Sequence, residues 1–173
     1  MKLDQWLRFT WDLASFPSEM AALPEHYAIT RAEPDDEKQV RAAISTAFTL
    51  DPAWNAAAHN IEQTVEMWLA RAFEQANTVL LVLRHGSRVI GASIVSLADA
   101  SDYHLAPGPC ILLEYRNRGF GTHLLAHSLA TLRDSGVRHA TAIAKDGSPA
   151  AKFLYPKFNG VGTPDDFAPL AAT

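Results

Sequence analysis

Apolar positions along this chain recur with the two periods that distinguish helices from strands. A 3.6-residue spacing follows Pro34 until Asp51-Pro52 ends it, and a second helical stretch covers about residues 60–76. The apolar runs Thr78–Arg84 and Arg88–Leu97 are separated by a short turn and predict a β-hairpin. This part of the chain therefore indicates two helices followed by two antiparallel strands.

The rest of the chain alternates between strands and helices. Pro107 and Pro109 fall in the next extended stretch, and that strand must be irregular because proline donates no ladder hydrogen bond. The helix that follows ends near Ser135, since Gly136 suits the position after a helix, and Val137–Lys145 is the next strand. With a first strand just before Pro34, the order β-α-α-β-β-β-α-β-α-β predicts a mixed α/β sheet with one parallel strand-helix-strand unit.

Residues 1–26 are unusually rich in aromatic side chains. Trp6 and Phe9 could share one face of a short helix before prolines interrupt the pattern. We interpret residues 1–26 as an arm that packs on a single domain formed by residues 27–173, because an aromatic cluster left in water would be a liability. A dimer contact, which would make the protein a homodimer, or a lid over a substrate site is the alternative.

Composition narrows the class of protein. The 173 residues are 48% hydrophobic and 20% charged, which is ordinary for a globular domain. The net charge of -4 gives no general attraction to nucleic acid or to an anionic membrane surface. Cys110 is the only cysteine, so no intramolecular disulfide can form, and neither a signal peptide nor a membrane span is recognisable. We therefore expect a cytoplasmic protein.

The stretch that carries chemical information is residues 112–125. An apolar run leads into Arg116 and Arg118, and then Gly119 and Gly121 open an amphipathic helix. Glycines allow a close approach of the backbone, and amides at a helix N-terminus attract anions. The pattern predicts a diphosphate cradle made by the amides of this loop, with the two arginines adding charge nearby.

Known phosphate-binding loops differ in their spacing. A Walker loop needs a Lys-Ser or Lys-Thr pair, which this chain lacks, and a dinucleotide fingerprint needs a third glycine where Leu124 stands. What remains is Arg-x-x-Gly-x-Gly, and in this motif the chain resembles the GCN5-related N-acetyltransferases. The alternative is that the two glycines only mark a tight strand-to-helix turn, holding another phosphate ligand or none.

A second landmark strengthens the resemblance. Ser148, Ala151 and Tyr155 have the spacing of the short helix in which this family usually carries asparagine, a small residue and tyrosine. The resemblance covers about residues 27–160, with its sharp motifs in residues 110–160. The chain departs from the family pattern at Leu113, Ser148 and Asn159-Gly160, where proline, asparagine and Gly-Phe are usual.

The resemblance implies a fold, a cofactor and a reaction. The fold would be a mostly antiparallel sheet with splayed central parallel strands, flanked by helices. The protein would bind acetyl-CoA and transfer the acetyl group, by direct attack in a ternary complex, to a primary amine of a small molecule or peptide. The residues implied in coenzyme binding are Cys110, Ile111, Arg116, Asn117, Arg118, Gly119, Phe120, Gly121, Thr122, Ser148 and Ala151.

Catalytic residues follow less directly. Tyr155 is implied as the proton donor to the leaving thiolate, although it could simply pack against the sheet. His104 and Glu114 are the candidates for a general base, and a water relay is the alternative. The loop between the first two helices borders the acceptor in this family, which makes Trp54, Asn55 and His59 candidates for substrate contact.

Other readings of the sequence stay open or are set aside. A non-catalytic acyl-CoA sensor or interaction domain of the same fold is the rival function. His123 and His127 are spaced to bind a metal but lack the third ligand and the glutamate of a metallohydrolase, so no metal is expected. Cys110 lies in an apolar strand with nothing to activate its thiol, which argues against a nucleophilic cysteine.

Overall fold

The computed structural model describes residues 5–16, 21–49, 58–74, 76–98 and 101–167, with backbone alone for residues 48–49 and 58–62. Its strands are β1 (Trp6–Asp12), β2 (Tyr27–Arg31), β3 (Thr78–His85), β4 (Arg88–Ser96), β5 (Cys110–Ile111), β6 (His139–Lys145) and β7 (Val161–Asp165). Its α-helices are α1 (Glu37–Thr49), α2 (Ala58–Glu74) and α3 (Phe120–Asp134), and Ala150–Leu154 forms a single π-helical turn.

One half of the sheet is built from strands that follow one another in the chain. Strands β2, β3, β4 and β5 pair antiparallel in that order, and the hairpin predicted for residues 78–97 is confirmed. Gly86 takes a positive φ of 59° in its turn, as a two-residue hairpin loop requires. This half follows the local pattern of the sequence.

The other half is built from the two ends of the chain. Strand β1 lies between β6 and β7 and pairs antiparallel with both. The helical face suggested for Trp6 and Phe9 is therefore wrong. Phe9 and Trp11, two positions apart, are both buried on the α3 side, which is the period of a strand. The partners of β1 lie beyond residue 138, so the local pattern could not reveal the pairing. The division of the chain at residue 26 stays a prediction.

The two halves are joined by the segment of residues 104–107. Leu105 bridges Val95 of β4 in antiparallel fashion and Ala142 of β6 in parallel fashion. Beyond it the chain turns away, and β5 pairs with Gly91 and Ala92 of β4 but, in the part of the chain described, not with β6. Strands β5 and β6 therefore diverge and leave a gap in the middle of the sheet, which is the splayed arrangement that the sequence predicted.

Helices cover both faces of the sheet. The residues packed on the α3 face include Leu83, Leu124 and Leu129, whereas Ile44 and Leu69 belong to the core beneath α1 and α2. Helix α3 ends as predicted, with Ser135 at its C-cap and Gly136 at a φ of 92°. No helix in the described ranges combines the length and apolar character that crossing a bilayer requires.

Candidate functional site

The gap between β5 and β6 opens into a cleft with a volume of about 380 Å³. One wall is formed by residues 107–111 and the other by residues 143–145 of β6. The first turn of α3 lies at one end, and Tyr155 contributes to the lining.

The glycine loop places the N-terminus of α3 in this cleft. Gly119 is the N-cap residue with a φ of 82°, a conformation that favours glycine. The first helical hydrogen bond runs from the amide of His123 to the carbonyl of Gly119, so the amides of Phe120, Gly121 and Thr122 have no partner within the helix. These three residues line the cleft, as the cradle prediction requires.

Arg116 does not act as the free charge that the sequence suggested. Its Nε donates to the carbonyl of Ile111 at 2.9 Å, and its Nη2 donates to the carbonyl of Ala47 at 3.3 Å. The side chain therefore fastens the end of β5 to the C-terminal part of α1. Arg118 is exposed, does not contribute to the cleft lining, and stacks over the ring of Tyr115 at 5.5 Å. The cradle's positive character comes mainly from backbone amides.

Tyr155 is buried at the floor of the cleft. Its ring packs edge-on against Phe9 and Trp11, with centroid distances of 5.4 and 5.5 Å. Its hydroxyl lies directly against Gly108, where any side chain would overlap it. Burial, with a smaller contribution from Cys110, raises the pKa of the phenol. The hydroxyl therefore stays protonated and is held at the edge of β5.

Strand β1 supports this floor from behind. Trp11 is fully buried and donates from Nε1 to the carbonyl of Lys157 at 2.9 Å. Gly160 approaches both Trp11 and the carbonyl of Tyr155 so closely that a Cβ would overlap them. This role of β1 was not predicted from the sequence. The only signal for it was the density of aromatic residues in the N-terminal segment.

In the second family landmark, the hydroxyl of Ser148 is used in a hydrogen bond within its own turn. Ser148 is buried, and its hydroxyl accepts a hydrogen bond from the amide of Ala151 at 3.3 Å. Ser148 lines the cleft, whereas Ala151 lies behind the lining. Cys110 and Ile111 both line the cleft, and Asn117 adopts a left-handed φ of 63° in the loop.

Glu114 lies away from the cleft. It is exposed in a short 3-10 helix and pairs with Arg88 at 3.0 Å. A hydrogen bond from its own backbone, and then Arg88, lower the pKa of its carboxyl. The structure does not bring this candidate base near Tyr155 or the cradle.

His104 is buried and lines a second cavity. Its Nδ1 lies 3.0 Å from Oγ1 of Thr141 and 3.2 Å from the amide of the same residue. The hydroxyl of Thr141 donates to the carbonyl of Asp102, so it accepts a hydrogen bond from Nδ1 when that nitrogen carries the proton, whereas the amide of Thr141 requires a lone pair there. The two contacts are compatible with different tautomers of the neutral ring. His104 does not line the cleft that contains Tyr155.

The second cavity has a volume of about 520 Å³ and lies beneath α2. Trp68 lines both this cavity and the cleft, so the two spaces share a wall. Tyr103 and Phe167 form part of its rim, and the hydroxyl of Tyr103 donates to Asp165 at 2.8 Å. Burial, and then Asp165, raise the pKa of Tyr103 to about 12.

Several lining residues were not identified from the sequence. Ala47 and Trp68 reach the cleft from α1 and α2, and Lys145, Phe153 and Lys157 line its other side. No carboxylate lines the cleft within the described residues. Of the candidates for acceptor contact, Trp54 and Asn55 lie outside the described residues, as does the side chain of His59. Within the described ranges, no three His, Cys, Asp or Glu side chains are grouped for a metal.

The fold is that of an α/β protein in which two central strands diverge. A glycine-bordered helix N-terminus lies at one end of the gap between them, and this arrangement suits an extended anionic ligand. The sequence matches the acetyltransferase (GNAT) family over residues 38–160. The chain belongs to that family. No curated protein matches it.

Solved structures share the fold. A GNAT family acetyltransferase from Brucella melitensis, in complex with acetyl-CoA, has 25% identity and a TM-score of 0.52, covering 65% of this chain and 72% of that one. A GCN5-related N-acetyltransferase from Sphaerobacter thermophilus has 17% identity and a TM-score of 0.65, covering 94% and 50%. The PaiA N-acetyltransferase from Thermoplasma acidophilum, in complex with coenzyme A, has 14% identity and a TM-score of 0.50, covering 64% and 74%.

Some of the matched proteins are considerably longer than this chain. It spans 59% of a functionally unknown conserved protein from Staphylococcus epidermidis and 50% of the S. thermophilus protein. The likeness to these structures is therefore one of fold.

Proposed function

We propose that the protein is an acetyl-CoA-dependent N-acetyltransferase that acts on a primary amine of a small molecule or peptide. The observation that carries the proposal is the cleft itself, which joins the free amides of the α3 N-terminus to the hydroxyl of Tyr155. A diphosphate at the first and a thioester near the second would span the gap between β5 and β6. The acetyl-CoA and coenzyme A complexes of family members support this choice of ligand.

Backbone groups at the edge of β5 can polarise the thioester. The amide of Leu112 donates to Ile90 of β4, and successive backbone amides of a strand point in opposite directions. The amide of Ile111 is therefore directed away from β4, toward the cleft. A donor so placed would stabilise the negative charge that develops on the carbonyl oxygen during attack.

The proposed reaction is direct acyl transfer. The neutral amine attacks the thioester carbonyl, the new C–N bond forms, and the C–S bond breaks as the thiolate leaves. Tyr155 donates its phenolic proton to that sulfur, the attacking nitrogen loses a proton to solvent, and solvent returns a proton to the Tyr155 phenolate, so that the net products are the amide and coenzyme A thiol. Holding both reactants in one cleft supplies much of the rate enhancement.

The second cavity is the proposed acceptor site. It shares Trp68 with the cleft, which places an amine held there next to the coenzyme site. His104 would contribute its imidazole to the wall of this cavity. The amine would then arrive in its neutral form or lose its proton to water.

The rival function is a non-catalytic acyl-CoA-binding domain. It is favoured by the lack of a carboxylate in the described cleft lining. Release of coenzyme A thiol in the presence of any amine, at a rate above hydrolysis, would exclude this rival. Binding of acetyl-CoA without turnover over a broad amine panel would support it.

A thermal unfolding experiment tests coenzyme binding. A ligand at about 100 times its Kd adds about 2.7 kcal/mol, and we expect acetyl-CoA to raise the Tm by several degrees where ATP and NAD do not. Gly121→Glu should abolish the rise because it places a carboxylate in the cradle. Gly121→Ala is the matched control, since a Cβ there meets Leu154 only at an ordinary 3.7 Å. No rise with millimolar acetyl-CoA would contradict the proposal.

A further inference from the structure

Phe153 is an apolar side chain left in water at the cleft. The large apolar residues that are exposed in the described part of the chain are Leu113 at 56%, Phe153 at 71% and Val161 at 62%. Phe153 alone among them lines the cleft. Single exposed apolar side chains are common on protein surfaces, but one that lines a ligand cleft presents its ring to whatever binds there.

The ring stands next to the diphosphate cradle. Leu154, its neighbour in the π-helical turn, lies 3.7 Å from the Cβ position of Gly121 in the first turn of α3. A diphosphate held at this first turn would place one of its two attached groups within reach of Phe153 and Leu154. In coenzyme A that group is adenosine, whose base presents a flat aromatic surface.

Tyr115 is the other aromatic residue beside the cradle, and its ring is already occupied. Arg88 and Arg118 lie over it at 5.8 and 5.5 Å, and its hydroxyl is within 2.9 Å of Nδ1 of His85. Among the described residues, no other aromatic ring packs against the ring of Phe153. Tyr115 also lines the cleft, but two guanidinium groups lie over its ring, whereas Phe153 is 71% exposed and offers a ring face to a base.

We infer that Phe153 is the stacking surface for the adenine base of the coenzyme. The inference rests on the proposed function, since it assigns the nucleotide end of the same ligand. Lys157 also lines the cleft and pairs with no carboxylate in the described ranges, which adds positive charge to the site of an anionic coenzyme. Base stacking on an aromatic side chain is favourable without requiring sequence-specific hydrogen bonds.

Calorimetric titration with a pair of ligands tests this inference. Coenzyme A carries the adenosine, whereas 4′-phosphopantetheine lacks it. Phe153→Ala should weaken coenzyme A binding by about 5- to 50-fold and leave 4′-phosphopantetheine binding unchanged. Phe153→Trp should keep the affinity, and Val161→Ala, an equally exposed position on β7, should leave both ligands unaffected.

Two results would overturn the inference while the proposed function survives. One is an unchanged coenzyme A affinity in Phe153→Ala. The other is an equal loss for both ligands, which would mean that the ring acts on the pantetheine end. If Tyr115→Leu alone produced the adenosine-dependent loss, the base would lie on the opposite side of the cradle. A wild-type protein that binds neither ligand would instead refute the proposed function, and this inference with it.

Discussion

The two halves of the sheet flank the same cleft but hold different parts of it. The four-stranded half, β2 to β5, is fastened to the α1 end through Arg116 and leads directly into the glycine loop. The three-stranded half, β6-β1-β7, supports Tyr155 through Phe9 and Trp11. The proposed ligand binding at the cradle and the proposed chemistry at the floor would therefore depend on separate structural units, and changes in one half should separate the two properties.

The largest expected effect compares one buried side chain from each half. Trp11→Ala should lower the free energy of unfolding by about 3–5 kcal/mol, and Leu83→Ala should lower it by about 2–5 kcal/mol. At a temperature where both variants are folded, only Trp11→Ala should also lower kcat, because it removes the ring that packs against Tyr155. Urea unfolding and steady-state kinetics measure the two properties. An equal fall in kcat for both would mean that the halves are not independent.

Tyr155→Phe sharpens the same comparison at the floor of the cleft. The phenylalanine ring can keep the packing with Phe9 and Trp11, so we expect the affinity for acetyl-CoA to be unchanged. Loss of the phenolic proton should lower kcat by up to about 100-fold. Because burial raises the pKa of Tyr155, its ionisation should produce no loss of rate below about pH 10. Tyr115→Phe, which removes a hydroxyl outside the reaction path, is the control. A Tyr155→Phe enzyme with the wild-type rate would remove Tyr155 from the mechanism.

The ion pairs of the two halves should respond alike to acid and differently to alkaline pH. Burial acts to raise the pKa of Asp165, but hydrogen bonds from Arg8 and Tyr103 lower it overall, and Arg84 lowers the pKa of Asp36. Both carboxylates stabilise the fold above about pH 4, their unfolded range, and this stability is lost as the pH falls through their folded pKa values. The two halves behave alike in acid.

Alkaline pH should separate them. The pKa of Tyr103 is raised to about 12, so its contribution is present below about pH 10 and is lost as the pH rises through 12. Tyr103→Phe should cost about 1 kcal/mol near neutrality, and that difference should shrink above pH 10. Asp36→Asn should change the pH dependence of the free energy of unfolding in acid and leave its alkaline pH dependence as in the wild type. Urea unfolding from pH 3 to 11 provides the measurement, and a Tyr103→Phe difference that is constant above pH 10 would contradict the assignment.

The smallest expected effect is at the surface pair of Glu114 and Arg88. Glu114→Gln should change neither stability nor kcat measurably, because both side chains are more than half exposed and lie outside the cleft. The comparison with Tyr155→Phe separates a catalytic from a surface position in the same assay. A large fall in kcat would restore Glu114 as a candidate base.

Sequence patterns revealed the features that depend on neighbouring residues. Gly119 and Gly121 define the cradle because a strand-to-helix turn is a local structure, and the hairpin of β3 and β4 follows from alternating runs around one turn. The roles of Arg116 and Trp11 were missed because their partners, Ala47 and Lys157, are distant in the chain. Spacing shows which residue types recur, but it does not show where a long side chain finds its acceptor.

The place of β1 in the sheet has a consequence for how the protein is made. Arg8 pairs with Asp165, 157 positions later, so the first strand leaves the ribosome long before its partners exist. At about 5–20 residues per second, an aromatic segment must stay unpaired for many seconds while the four-stranded half can already fold. The floor beneath Tyr155 is therefore completed last, and chaperone binding to residues 6–16 during synthesis would protect the step on which the cleft depends.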